Sequence, residues 1–185
     1  MENAHKRKKQ PELVRRALLD QAAKLAVEEG LAAVTVQAVA NAAGVTKGGF
    51  MHHFPHKQAL IDAVFQELMD TIDQELDKRI AADPEPYGSF TRAYVEAVFT
   101  MALGANGGPW APLSISMLTD AGLRALWGKW FQGRLERHHT TDADTRLAIV
   151  RLAADGVWLA DLGGIVLPDS EQLHVQLLEA TRPHY

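Results

Sequence analysis

An all-α fold of about nine helices is predicted by three observations. Apolar residues recur at helical spacing along almost the whole chain, no stretch alternates as a half-buried strand would, and 47% of the 185 residues are hydrophobic. That content can bury a real core without covalent staples. There is no cysteine, which excludes disulfides, thiolate zinc sites and cysteine nucleophiles and suits a reducing compartment. The basic opening, MENAHKRKKQPEL, has no apolar run behind it, so no export signal is expected. The most apolar segment, LAIVRLAADGVWLADLGGIVL, is interrupted by Arg151, Asp155 and Asp161 and falls short of the roughly 18–20 uninterrupted apolar residues of a membrane span. A cytoplasmic chain with no membrane partner is expected.

Each element has its own signal. Leu18, Ala22, Leu25 and Ala26 lie on one helical face, and Gly30 supplies a stop. Thr35 can cap a short second helix from Val36 to Ala43, closed by Gly44. Thr46 can cap a third, ending near His53 and Phe54 because Pro55 disfavours helical geometry in the residue before it. From Lys57 a fourth helix runs to Ala82, with Leu60, Val64, Leu68, Ile72 and Leu76 four apart, roughly 39 Å at the usual rise. DPEP at 83–86 ends it, and SFTRAYVEAVFTMAL forms a fifth that stops in the glycine- and proline-rich loop GANGGPWAP at 104–112. Two more helices are expected near 113–120 and 122–139. Residues 142–163 form a helix apolar on nearly every side, which must be buried on nearly every side. The last helix opens at Asp169 with Gln172 three residues on, a capping-box pattern, and carries Leu173, Leu177 and Leu178.

Charge is partitioned along this chain. Residues 1–60 hold nine Lys/Arg against five Asp/Glu, net +4, whereas the remaining residues hold ten against eighteen, net −8. A basic first third on an acidic remainder points to a polyanion at one end. Within that third, GVTKGGFMHHFPHK at 44–57 has the anatomy of a helix-turn-helix. Ala40 is the small residue, Gly44 the turn glycine four later, and Val39, Ala43, Val45 and Phe50 the apolar wedge. The second helix then shows Lys47, Gly48, Gly49 and His52 at its N-terminal end, the end that enters the major groove in this motif. Two adjacent glycines cost a helix about 1 kcal/mol each relative to alanine, and they let backbone come close to a base edge or phosphate. Thr35, Gln37, Thr46 and Lys57 join them as candidate DNA contacts, with Lys8 and Lys9 in the basic start.

Rival chemistries fit less well. A phosphate-cradling loop wants G-x-x-x-x-G-K-[ST] after a strand, and here the paired glycines lie inside a helix. His52 and His56 are four apart, but Pro55 breaks the helix between them and no carboxylate sits at ligand spacing, so no metal site is expected. Four serines, no cysteine and no Gly-x-Ser-x-Gly turn leave no evident nucleophile, so neither an enzyme nor a cofactor is expected.

Residues 18–64 resemble the DNA-binding domain of the tetracycline-repressor (TetR) family. Its V-[ST]-K-G…H-F-x-x-K core is present as Val45, Thr46, Lys47, Gly48, His53, Phe54 and Lys57. Two positions depart from the pattern: Gly49 stands where Thr or Ser is usual, and Met51 where a phosphate-touching Tyr is usual, leaving Lys47 and His52 as the main readout candidates. The resemblance implies an all-α homodimer, with a helix-turn-helix DNA-binding domain at 1–56 and a ligand-binding and dimerisation domain at 57–185. It implies a repressor that binds a palindromic operator as a dimer and is released by a small-molecule inducer. The apolar helix at 142–163 finds its missing partner in the same helix of a second copy, with the helix at 170–181 completing the interface.

All four tryptophans, Trp110, Trp127, Trp130 and Trp158, lie in the second half, with Phe99, Met101, Met117 and Phe131 in the same half. They read either as core or as the wall of a pocket for a flat, apolar ligand. Asp155, Trp158 and Asp161, three apart, put acid, aromatic and acid on one helical stripe that could hold a lipophilic cation. Arg151, four before Asp155, offers instead an i, i+4 ion pair. The segment RLAADGVWLADL is similar to one in TetR-family branches that sense cationic or aromatic drugs and control efflux or detoxification genes.

Overall fold

The computed structural model describes residues 11–102 and 110–183, apart from the side chains of 102 and 110–113. Among these residues all regular structure is helical: α1 (Pro11–Glu29), α2 (Val36–Ala42), α3 (Lys47–His53), α4 (Lys57–Ala82), α5 (Ser89–Ala102), α6 (Trp110–Thr119), α7 (Ala121–Arg137), α8 (His139–Asp142), α9 (Thr145–Leu162) and α10 (Ser170–Ala180). The chain divides into two compact units, one ending at Phe65 and the other beginning at Gln66.

The first unit is the three-helix cluster α1–α3 with the start of α4. Leu18, Leu19 and Ala22 of α1 meet Val39 and Ala40 of α2 and Phe50 of α3 in a sealed core. Burying the Phe50 ring completely contributes on the order of 2–3 kcal/mol. Gly30 and Gly44 take φ of 82° and 66°, left-handed values that end α1 and make the turn after α2. The start of α4 is capped by His56, which the sequence offered only as a rejected metal ligand: its Nδ1 accepts from the amide of Ala59 at 3.1 Å.

The second unit is built on the pairing of α5 with α9, joined by α10. Phe90, Tyr94 and Val98 of α5 pack with Val150, Ala154 and Val157 of α9, against Ile72 and Leu76 of α4. Polar clamps close its ends. Asp142 lies buried under the start of α5 and accepts from the amides of Phe90 (3.3 Å) and Thr91 (2.8 Å) and from Thr91 Oγ1 (2.6 Å). To bring it there the chain breaks at His138 and inserts the short α8, so that the described residues hold ten helices where about nine were expected. Arg92 ties Asp83 (2.6 Å) to the carbonyls of Tyr87 (2.8 Å) and Thr181 (3.2 Å).

Two local expectations are corrected. The capping box at Asp169 does not form: Asp169 adopts φ 51°, ψ 48° and its side chain makes no cap bond, because a capping residue needs extended backbone to turn its oxygen towards the helix amides. Arg151 and Asp155 make no i, i+4 ion pair. Arg151 is buried and turns to Thr91 Oγ1 (2.6 Å), with the Asp142 carboxylate 3.9 Å away, a better-furnished site for a desolvated cation. In the single chain, α9 is covered on only part of its circumference. Val150, Ala154 and Val157 are buried, but Ile149, Leu152 and Leu159 are 61%, 69% and 55% exposed.

Candidate functional site

Two places gather the candidate residues, one in each unit. In the first, the chain before α3 is extended at Thr46 (φ −77°, ψ 160°), and Thr46 Oγ1 accepts from the Gly49 amide at 3.0 Å. Phe50 is sealed beneath, so the opposite face of the short helix is turned outward: Lys47, Gly48, Met51 and His52 are exposed and Gly49 is half-buried. Thr35 repeats the device at α2, accepting from the Ala38 amide at 3.1 Å, while Gln37 lies exposed and donates to Asn41 Oδ1 at 2.7 Å. Both threonine caps are therefore occupied holding helices, worth about 1 kcal/mol each. Lys57 is half-buried and its ammonium reaches the Leu31 carbonyl at 3.4 Å, leaving other N–H groups for a further acceptor. Lys8 and Lys9 lie outside the described residues.

The paired glycines are not demanded by this packing. A Cβ at Gly48 would meet nothing closer than Thr46 Oγ1 at 3.8 Å, and one at Gly49 would make ordinary contacts at 3.4 Å and 3.5 Å. Neither has positive φ. The fold would accept alanine and gain helix propensity by it. An open groove of about 560 Å³ runs beside them, lined by Val14, Val45, Thr46, Gly48, Gly49 and His52.

In the second unit a cavity of about 150 Å³ is walled by Ile72, Tyr94, Met101, Met117, Trp127 and Trp158, with Asp155 as its acid. Of the residues singled out from sequence, Met101, Met117, Trp127, Asp155 and Trp158 meet here, whereas Phe99, Trp130, Phe131 and Asp161 do not. Trp130 faces α4, where its indole donates to Asp73 Oδ1 at 2.7 Å beside buried Arg134, which donates to the same oxygen at 2.6 Å and to Asp77. Phe131 stacks behind Trp127 with ring centres 6.1 Å apart. Phe99 is buried and stacks on His174 at 4.3 Å, beside a separate shallow groove. Asp161 is exposed and lines another groove with Val157, Ile165 and Leu167, so the acid–aromatic–acid stripe does not converge on one cavity. The Trp110 side chain lies outside the described residues.

Tyr94 is the polar cavity residue that sequence reading missed. Its hydroxyl donates to Asp155 Oδ1 across 61 residues of sequence; the available signal was a tyrosine on an otherwise apolar helix face, since a buried phenol needs a partner. Burial pushes the Asp155 carboxyl above its usual range, opposed by the Tyr94 hydrogen bond and by the nearby Arg151 charge. Burial likewise drives the Tyr94 phenol well up, with Asp155 adding to it. Trp158, on the same wall, keeps a buried indole N–H with no acceptor among the described residues.

Comparison with known proteins agrees with both units. Residues 18–64 match the family model described as bacterial regulatory proteins, tetR family, and residues 88–182 match the tetracyclin repressor-like C-terminal domain. The chain is similar to the HTH-type transcriptional repressor KstR2 of Rhodococcus jostii, 29% identical over 163 residues that cover 79% of this chain and 77% of the relative. In fold it is similar to the multidrug binding protein EbrR complexed with malachite green (20% identity, TM-score 0.69, covering 92% of this chain and 98% of that one). It is also similar to RolR complexed with resorcinol (17% identity, TM-score 0.61, covering 95% and 90%). The helix-turn-helix geometry and the two family matches together show that the chain belongs to the TetR family of bacterial transcriptional regulators, DNA-binding proteins and not enzymes.

Proposed function

We propose that this protein is a dimeric repressor that reads a palindromic operator through α3 and lets go when a small aromatic inducer enters the cavity beside Asp155. One observation carries the DNA half: Gly48 and Gly49 sit on the exposed face of α3 where the fold has room for a side chain. Glycines that cost stability and relieve no clash are explained by something that must come close to the backbone. Lys47 and His52 flank them, exposed, as phosphate or base-edge donors. Gln37, Thr35 and Lys57 lie at the periphery of that contact, and Lys8 and Lys9 add charge.

Support for the dimer comes from α9 and α10. Ile149, Leu152, Leu159 and Val175 are exposed in the single chain, with Ile165 and Val166 between the two helices. So many exposed large apolar side chains on neighbouring helices fit a surface that a second copy covers. Two-fold symmetry then requires two half-sites.

The cavity has a physical route to α4. Trp127, in its wall, packs on Trp130 at 4.8 Å between ring centres, and Trp130 is hydrogen-bonded to Asp73 of α4. A ligand that pushes Trp127 therefore loads α4, the helix that continues into the first unit. The relatives named above are a repressor, a multidrug binding protein and a resorcinol-bound protein, which accords with aromatic ligands, cationic or neutral, and with control of an efflux or detoxification gene.

The test is fluorescence anisotropy with duplexes tiled across the DNA flanking its own gene. Specific binding that falls steeply with salt is expected, since phosphate neutralisation dominates such affinity. Lys47→Ala should weaken it about tenfold without altering the dimer. Equal affinity of the variant would remove α3 as the reading helix, and binding that no aromatic compound relieves would leave a repressor without an inducer.

A further inference from the structure

The cavity specifies its ligand more narrowly than the reading above on which this inference rests. A volume of about 150 Å³ is the order of space that holds a single benzene ring. The broad walls are Trp127 and Trp158, with Met101, Met117 and Ile72 filling the remainder, so the ring would be held between apolar and aromatic surfaces.

The polar groups are unequally satisfied. Asp155 Oδ1 already accepts from Tyr94, and the second carboxylate oxygen, Oδ2, supplies a further acceptor. The Trp158 indole N–H is buried without an acceptor among the described residues, an unfavourable state until something meets it. The wall thus offers one further acceptor and one unmet donor, three residues apart on α9 and so on one face of the helix. A bare quaternary cation would serve Asp155 by charge alone and leave the indole unmet. Moreover, the Arg151 guanidinium and the Tyr94 hydroxyl, the charged and titratable groups facing Asp155, already offset its charge.

We propose that the cavity takes a single-ring aromatic bearing a hydrogen-bond donor for Asp155 and an oxygen acceptor for the Trp158 indole, a hydroxylated or hydroxy-carbonyl benzene, in preference to a multi-ring or quaternary cation. One hydroxyl group or two neighbouring oxygens supply both functions, because a hydroxyl donates and accepts.

The experiment is calorimetric titration of the full-length protein with catechol and 4-hydroxybenzaldehyde, against toluene, benzyltrimethylammonium and crystal violet. A parallel measurement of operator release uses the same compounds. The hydroxylated rings should bind at least tenfold more tightly than toluene or either cation. Trp158→Phe, which keeps the ring surface and deletes the N–H, should weaken them about fivefold and leave toluene unchanged; Asp155→Asn should weaken them about tenfold. If Asp155→Asn does not fold, Trp158→Phe decides alone. Tighter binding of either cation, no binding by any hydroxylated ring, or a Trp158→Phe effect within twofold overturns the proposal. The two readings fail differently: cation binding with operator release keeps the inducible repressor and sinks this ligand class, whereas hydroxylated rings that bind without releasing DNA support the ligand class and sink the inducer.

Discussion

Replacing Gly48 with alanine should make the protein more stable and a worse DNA binder. The stability half follows from the vacancy around the position, where an added Cβ finds its nearest atom, Thr46 Oγ1, at 3.8 Å. No clash opposes the ordinary gain from glycine to alanine in a helix, about 0.5–1 kcal/mol. For a chain of this size that is about 2–4 °C of Tm at most. The binding half follows from exposure of the same position on the face that carries Lys47 and His52. A methyl group there holds the duplex off by about an atom's width and costs a hydrogen bond's worth of contact, about 1 kcal/mol per reading head. Two heads per dimer lose about 2 kcal/mol, or about thirtyfold in Kd. Thermal unfolding and operator anisotropy on the same preparation measure both. A rise in Tm with unchanged Kd refutes close approach of DNA at Gly48. A fall in Tm shows instead that the fold itself requires the glycine.

Leu152→Glu, on the exposed face of α9, should convert a dimer to a monomer in sedimentation while the chain stays folded, since Leu152 contributes little to its own core; an unchanged dimer would place the interface elsewhere. Gly88→Ala should destabilise by at least about 2 kcal/mol in urea unfolding, because Gly88 has φ +71° and a Cβ there would stand 2.6 Å from the Thr181 carbonyl oxygen; a cost under about 0.5 kcal/mol would refute the clash. For Asp155 the sign is set by burial, which raises the folded carboxyl above its value of 3.8 in the unfolded chain. Its contribution is present below that value and lost as pH rises through the raised folded value. Asp155→Asn should therefore gain stability relative to the parent as pH rises above about 4, and a Tm difference that does not change with pH would refute it.

The helices and the reading head were legible because their causes are local. Thr46, Gly44, Pro55 and the four-residue spacing from Leu60 to Leu76 act within a turn or two of chain, so α3 and α4 fall within a residue or so of where the spacing puts them. The outward set Lys47, Gly48 and His52 follows from Phe50 alone, since one buried ring orients a seven-residue helix. The cavity was legible only in its ingredients. Composition brought tryptophans and acids to one half of the chain, but which of them face a common space depends on partners far apart in sequence. Asp73 draws Trp130 away to α4 from 57 residues off, Thr91 draws Arg151 from 60, and Tyr94 reaches Asp155 from 61. A buried polar group goes to whichever complementary group packing brings within reach, and pattern along the chain does not record that distance. Local sequence was enough to specify an all-α chain with a helix-turn-helix and the side chains its third helix shows. Packing settled that Asp155 meets a phenol instead of an arginine, that the Trp158 indole finds no acceptor among the described residues, and that one side of α9 stays bare in the single chain, because each depends on how helices from distant parts of the chain come together.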